Sequence, residues 1–396
     1  NFKRRMEKPD ESTRKTESLM NLPEIQSTLE ELRSEVVVEQ VFTKLKSLQE
    51  GKDSQETFVF KAGLLIRFLL SCLIDADRLD TADFEMPGNS RYRNAGQFVP
   101  WETLIQRLNA KIREFEQKSE KNEVDGLRSQ VSQACLDTAQ KPKGIYQLTV
   151  PTGGGKTLAS LRFALHHAKC HEMDRMIYVV PYTSIIDQNA EEIRKILEDK
   201  DEHGRYLDRV VLEHHSNLTP EEESHRQNLL AQNWDASVVL TTQVQFLEAL
   251  FGSGTRSARR MHQLANAVII LDEVQAMPIK VIHMLNVALR FLVHDCGASV
   301  VLCTATQPPL DAIGAQYRAL TLSSDSRIIP NELELYEKLK RVDVFDKQRT
   351  GGWSVEEVAD LAEEQLQAKG SVLVVVNTRK SAQALYQAIA AKDMAG

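Results

Sequence analysis

The chain is short of several things, and each shortage excludes something. Among its 396 residues there are five cysteines, Cys72, Cys135, Cys170, Cys296 and Cys303, and no two are spaced as CxxC. That spacing argues against a zinc ribbon and a disulfide framework. Scattered free thiols fit a reducing compartment, so a cytoplasmic location is expected. Aromatic residues make up 6% of the chain, leaving few side chains to stack on bases. Positive charge is not in excess, and the net charge of −7 argues against a general basic coat for nucleic acid. A local basic groove stays possible, because a few placed donors suffice for phosphate contacts. The longest apolar run, "AGLLIRFLLSCLI", is interrupted by Arg67 and is too short to span a bilayer, so no membrane partner is expected. The opening "NFKRRMEKPDESTRK" has no apolar core of a signal peptide and no initiator methionine, so the chain is expected to start partway through a longer reading frame. No histidine precedes His166.

What is present is ordinary for a globular protein of two or three domains: 42% apolar and 27% charged residues. Residues 1–58 are charged with helix-like stretches, and 59–84 read as one helix, apolar on nearly every side and therefore buried. Asp75, Asp77, Asp80 and Asp83 follow its apolar run; clustered carboxylates at the end of a buried helix call for a cation or a basic partner. "MPGNSRYRNAGQFVP" (86–100) has linker composition, and "WETLIQRLNAKIREFEQKSEK" predicts an amphipathic helix. From about residue 125 short β-branched runs alternate with helical patterns. Strands are expected at 145–150, 176–181, 209–214, 237–242, 267–273 and 299–306, and such continuous apolar strands predict a parallel sheet covered on both faces. A further run, "SVLVVVNT" (371–378), is expected to be the first strand of a second α/β unit.

"LTVPTGGGKTLASLRFAL" carries the strongest chemistry. A strand ends at Val150, a glycine turn follows, and a helix opens near Lys156. Gly153, Gly154 and Gly155 let the backbone turn its N–H groups toward an anion, and the helix N-terminus adds its positive end. With Thr152, they form the expected ATP-phosphate loop; Lys156 reaches the outer phosphates and the Thr157 hydroxyl holds Mg²⁺. The usual loop has a further glycine where this chain has Val150, a departure placed on the strand. About 115 residues on, "AVIILDEVQ" ends a strand in two carboxylates. Asp272 is expected to hold Mg²⁺, and Glu273 to orient and deprotonate the attacking water.

Polar residues also close the neighbouring strands. Tyr182, Thr183, Ser184 and Gln188 follow one; Thr241, Thr242 and Gln243 follow another; Thr304, Ala305 and Thr306 follow a third. At the C-terminal edge of a parallel sheet such groups suit a ligand, and hydroxyl and amide groups suit phosphate and sugar. The first two sets are therefore expected to position a nucleic-acid strand, a strand that the resemblance given below implies is single-stranded DNA, and the third to couple the ATP site to a second lobe.

This set, in this order, resembles the motifs of superfamily 2 helicases: "PTGGGKT", "PYTSIIDQ", "TTQVQ", "DEVQ", "TAT" and "VLVVVNTRKSAQAL". In finer detail, "KGIYQLTVPTGGGKTLASLRFALHHA", "IYVVPYTSIIDQNA", "VLEHHSNL" and "VIILDEVQAMP" look like the CRISPR-associated endonuclease/helicase of type I interference systems. The resemblance covers roughly 125–390. It implies an α/β fold with a RecA-like P-loop sheet, preceded by the helical tail of an HD nuclease domain. It implies four segments: 1–85 the end of a truncated HD domain, 86–124 a linker and helix, 125–325 the first RecA-like lobe, and 326–396 the start of a second. The implied activity is ATP-driven translocation on single-stranded DNA with nuclease cleavage, beside a guide-RNA surveillance complex. Asp77 matches a ligand of the nuclease's divalent transition metals, and Thr81 lies one turn further on. Its other reading is a helix-end carboxylate pairing with Arg78 or capping the next turn. The family's motifs V and VI, with their arginine, lie beyond this sequence, so poor ATP hydrolysis is expected of it. Another superfamily 2 DNA or RNA helicase, and a non-catalytic ATP-binding module, remain alternatives.

Weaker signals are His214 and His215, which as strand neighbours face opposite sides and so do not share an ion. Arg256, Arg259 and Arg260 are candidates for phosphate contact. Gln130 or Gln133 is a candidate for reading adenine, with exposed helical glutamine the alternative.

Overall fold

The β-branched runs become six strands: β1 Ile145–Thr149, β2 Arg175–Val180, β3 Val211–His214, β4 Val238–Thr242, β5 Ala267–Asp272 and β6 Ser299–Thr304. All pair in parallel, in the order β1-β6-β5-β2-β4-β3. The register sets Thr149 beside Thr304 and Asp272 beside Cys303, so the loops after β1, β5 and β6 leave one edge together. The computed structural model describes residues 23, 26, 27 and 35–393, except 50–52, 95–96, 118–121, 208, 216–224, 311–318, 321 and 341. Of the expected tail segment, residues 1–22, 24–25 and 28–34 therefore lie outside the described residues.

The described helices are α1 Glu35–Ser47, α2 Gln55–Glu85, α3 Trp101–Glu116, α4 Glu123–Thr138, α5 Lys156–Cys170, α6 Thr183–Leu197, α7 His225–Ala231, α8 Gln243–Phe251, α9 Thr255–Ala258, α10 Ile282–Cys296, α11 Glu332–Lys338, α12 Val355–Lys369 and α13 Arg379–Asp393. Side chains alternate across the sheet. Tyr178 and Val180 join a core with α3, α4, α5 and α6, while Ile177 and Val179 join one with α2, α8 and α10. Burial on both faces is why the strands are apolar throughout rather than alternating.

Helix α2 departs from expectation. Ser54 caps it, and Lys61, Leu64, Ser71 and Asp75 are buried. Yet Val59, Ile66, Leu69, Leu70 and Leu73 are 45% to 67% exposed, so it is not buried all round. By length and composition it could cross a membrane, contrary to the reading of its apolar run. Its inner face combines Leu64 and neighbouring apolar groups with polar side chains that pin it to the lobe. Lys61 Nζ lies 2.7 Å from Asp53 Oδ2 and Arg290 Nη2 2.5 Å from Asp53 Oδ1. Arg67 donates to the backbone carbonyls of Ala249 and Glu248 at the end of α8. Buried ions lose several kcal/mol of hydration each, so they persist only with partners this close.

The chain divides into two compact units, Asn1–Leu339 and Lys340–Gly396. The first unit runs beyond residue 325 because Ile328, Ile329, Leu335 and Leu339 complete the core beside the edge strand β1, where Ile328 N donates to Gln147 O at 2.9 Å. In the second unit, α12 opens on a capping box between Ser354 and Glu357. The expected strand at 371–378 does not form: 371–376 have no ladder, and Leu373 and Val375 are 87% and 82% exposed. A strand's N–H and C=O groups need a neighbouring strand, and the described residues of this unit provide none.

Candidate nucleotide site and the strand-binding edge

The turn after β1 is built as its glycines dictate. Gly153 and Gly155 have φ of 84° and 81°, the left-handed region that glycine enters without strain. Gly154 is constrained differently: a Cβ there would stand 2.5 Å from Val150 Cγ1 and 3.1 Å from Pro151 O. Val150, standing in place of the usual glycine, is fully buried and packs under the turn. Arg128 of α4 clasps the loop from outside, its Nε 2.9 Å from Gly153 O.

Lys156 opens α5 and reaches the carboxylates that end β5. Its Nζ is 3.0 Å from Asp272 Oδ1 and also bonds Glu273. Burial alone would lower the Lys156 pKa, but Asp272 and then Glu273 raise it. Burial pushes Asp272 up, only partly offset by Lys156. Glu273 is held below its usual range: burial raises it, but the hydrogen bond from Lys156 outweighs that. Glu273 sits at φ 47°, ψ 52°, an uncommon conformation for a non-glycine residue that aims its carboxylate back at Lys156. Beneath, the buried Tyr178 hydroxyl donates to Asp272 Oδ2 at 3.3 Å; burial, then Asp272, pushes that phenol well above its usual pKa. The Thr157 hydroxyl and Asp272 carboxylate are hard oxygen donors of the kind Mg²⁺ takes beside phosphates.

Lys156, Thr157, Asp272 and Glu273 line a cleft of about 640 Å³, together with Thr152, Phe115, Arg128 and Ser129. That volume suits a nucleotide-sized ligand. Phe115 and Arg128 were not anticipated from sequence; only the folding of α3 and α4 beside the loop brings them there. Gln130 and Gln133 are exposed and do not line the cleft, and Gln133 donates instead to Asp137.

Gln275, two residues past Glu273, was also missed as a linking residue. Its amide donates to Glu273 Oε2 at 2.6 Å, and its carbonyl accepts from Thr304 Oγ1 at 2.5 Å. The Thr304 oxygen in turn accepts from Thr306 N at 2.9 Å. Thr304 is buried, Ala305 half-buried and Thr306 exposed, so this bonded path runs from the acidic pair to the surface.

The other edge residues divide. Tyr182 is 61% exposed, Gln188 is exposed and Thr183 half-buried at the start of α6; the Ser184 side chain lies outside the described residues. Thr241, Thr242 and Gln243, expected on the strand-binding edge, are buried and used inside the lobe. Thr241 donates to His214 O, Thr242 caps α8, and Gln243 Nε2 donates to the carbonyls of Asp272 and Glu273, both at 3.3 Å. Arg259 and Arg260, candidates for phosphate contact, are 4% exposed, while Arg256 is exposed. His214 and His215 do face apart: His214 meets the Trp234 ring, and His215 Nε2 lies between Glu213 at 3.1 Å and Asp187 at 3.4 Å.

The aspartates after the apolar run have separate fates. Asp75 is the buried one, accepting from Arg259 Nε at 2.5 Å and Asn233 Nδ2 at 3.1 Å, with His262 Nε2 at 3.4 Å. These bonds, led by His262, outweigh burial and bring its pKa down to about 2. Asp83 pairs with Arg93. Asp77 is exposed, and among the described residues no metal-ligating cluster includes it.

Residues 129–313 match the DEAD/DEAH box helicase family model. The parallel sheet, the phosphate loop and the acidic pair lie within the matched residues, so this part of the chain is similar to a helicase lobe of that family. The chain is 29% identical over 224 residues to the CRISPR-associated nuclease/helicase Cas3 of Haloferax volcanii, covering 51% of this chain and 23% of that protein. It thus spans about a quarter of the length of the curated relative it matches. Among solved structures, T. fusca Cas3-ADP has a TM-score of 0.40 at 22% identity, over 52% of this chain and 23% of the other. The DUF1998 helicase MrfA has a TM-score of 0.41 at 18% identity, over 73% and 41%.

Proposed function

We propose that this chain is part of an ATP-driven single-stranded DNA translocase that works with an HD nuclease and a guide-RNA surveillance complex in CRISPR type I interference, in the cytoplasm. The observation that carries the motor reading is the convergence of Lys156, Asp272 and Glu273 beside the glycine turn, in a nucleotide-sized cleft. The CRISPR role rests on the likeness to Cas3 and the quoted motifs. Thr152 through Thr157 bind the phosphates of ATP. When bound with the nucleotide, Mg²⁺ offsets phosphate charge, and Thr157 and Asp272 hold it. Glu273 orients the attacking water and accepts its proton, with Gln275 fixing the carboxylate. Tyr182, Thr183, Ser184 and Gln188 contact the strand, and Thr304 to Thr306 carry the state of the site toward a second lobe. Residues 1–85 belong to the end of the nuclease domain, where Asp77 supplies one ligand to a divalent transition metal, and the second lobe begins after the first unit.

The test is nucleotide binding and phosphate release by the chain, with single-stranded DNA, with RNA, and without either, beside Lys156→Ala. Binding lost in the variant and strengthened by DNA supports the reading. A response to RNA alone points to an RNA helicase. Binding that no strand alters, without turnover, points to a non-catalytic module.

A further inference from the structure

Among the described residues, one group of three His, Cys, Asp or Glu side chains brings its ligand atoms within 4.8 Å of one another: Asp187, Glu213 and His215. Two separate elements build it. Glu213 lies near the end of β3 and His215 two residues on, where an extended chain puts both on one side. Asp187 comes from α6, which packs against β3. His215 Nε2 stands 3.1 Å from Glu213 Oε1 and 3.4 Å from Asp187 Oδ1. Corners of a tetrahedron about Zn²⁺, with bonds of about 2.0–2.2 Å, are roughly 3.3–3.6 Å apart. The imidazole thus faces both carboxylates at nearly the separation that a shared ion sets, and the exposed Asp187 carboxylate can rotate to complete it. The side chains of His215 and Glu213 are 4% and 7% exposed, whereas that of Asp187 is 71% exposed. Two ligands are fixed in the wall, and the third stands toward solvent, the side from which an ion and a water molecule enter. Arg194 of α6 donates to the other Glu213 oxygen, Oε2, at 2.8 Å. It holds that carboxylate in place, as the outer partners of metal ligands do, and leaves Oε1 turned to His215. One guanidinium against two carboxylates leaves a negative charge beside the imidazole. Carboxylates this close repel, and a cation between them relieves the repulsion.

We propose that Asp187, Glu213 and His215 bind a divalent transition-metal ion of the Zn²⁺ class, His215 through Nε2 and each carboxylate through one oxygen, with water in the fourth position. Mg²⁺ and Ca²⁺ prefer oxygen ligands alone, whereas Zn²⁺ and its neighbours take imidazole nitrogen together with carboxylate oxygen. Any proton on Nε2 leaves to solvent or to Nδ1 as the ion enters. The ion ties α6 to the end of β3. His214, turned the other way against the Trp234 ring, takes no part. None of the three ligands lines the nucleotide cleft, so the site does not depend on the nucleotide reading.

The test is calorimetric titration of the chelator-treated full chain with Zn²⁺ alone, without nucleotide, for wild type, Asp187→Ala and His215→Gln. Absorption by bound Co²⁺ is the second readout. Asp187 is exposed, so its variant keeps folding out of the comparison, and thermal melting without metal checks both. The wild-type chain is expected to bind one Zn²⁺ here, to melt at a higher temperature with it, and to give Co²⁺ the intense visible bands of a four-coordinate ion. Each variant is expected to weaken this binding by at least about tenfold and to lose those bands. No Zn²⁺ binding by the wild-type chain overturns the proposal. Affinity unchanged in either variant also overturns it, because the ion then sits on other ligands. An equal response to Mg²⁺ overturns the transition-metal assignment. Loss of nucleotide binding alone leaves the metal site standing, and loss of the metal site leaves the nucleotide reading standing.

Discussion

Lys156 Nζ stands 3.0 Å from Asp272 Oδ1, so the lysine of the glycine turn is held by the carboxylate that ends β5. If the cleft binds nucleotide as proposed, Lys156 passes from carboxylate to phosphate. Lys156→Ala removes the phosphate contact and leaves Asp272 and Glu273 as unpaired neighbours. Nucleotide affinity should fall about a hundredfold or more, the loss of a charge-assisted contact worth roughly 3 kcal/mol. Equilibrium binding of a fluorescent nucleotide measures it.

Glu273→Gln keeps the shape and the hydrogen bond to Gln275 but cannot accept a proton. Nucleotide affinity should stay within about threefold, while phosphate release falls by about 10²–10⁴. A matching fall in affinity would show that Glu273 acts in binding rather than on water.

Gln275→Ala cuts the bonded path between Glu273 and Thr304 without touching the phosphate loop. The expected outcome is near-normal nucleotide affinity with most of the stimulation by single-stranded DNA lost. The ratio of phosphate-release rates with and without DNA reads it directly. An unchanged ratio assigns Gln275 to local support of the acidic pair.

Asp75 and Asp77 are two residues apart and should behave oppositely. Asp75→Ala leaves Arg259 buried and unpaired, at a cost of about 3–5 kcal/mol. Asp77→Ala, at an exposed position, should change stability by no more than about 0.5 kcal/mol. Denaturant unfolding of the two variants side by side decides. Equal effects would mean the apparent division of labour on α2 is wrong.

His167 sets a pH limit on the lobe. Its ring bridges Ala139 O and Ser299 Oγ at 2.8 Å each, and burial lowers its pKa to about 4. The unfolded chain therefore takes up this proton near pH 6.5, before the folded one does. Stability from this site is full above 6.5, falls as pH drops from 6.5 to 4, and levels off below. His167→Gln should flatten that part of the melting-temperature profile.

Much of this molecule could be read from the chain. The six strands were legible because each is apolar on both faces, and the phosphate loop because its glycines precede a lysine at a helix start. Val150 was readable as a departure on the strand with little damage expected; the fit of its Cγ1 beneath Gly154 was not. The strand expected at 371–378 failed because β propensity needs a partner to pair with.

The sequence by itself determined the strands, the phosphate turn and the acidic pair, since each depends on residues adjacent along the chain. The fate of the remaining polar groups was decided by the tertiary structure. Arg259 became a structural ion because Asp75, 184 positions away, is buried beside it. Gln243 turned inward to the carbonyls of Asp272 and Glu273, and Arg256 alone of its cluster was left facing out. Burial and hydrogen-bond partners are set by long-range packing, which local residue patterns do not encode.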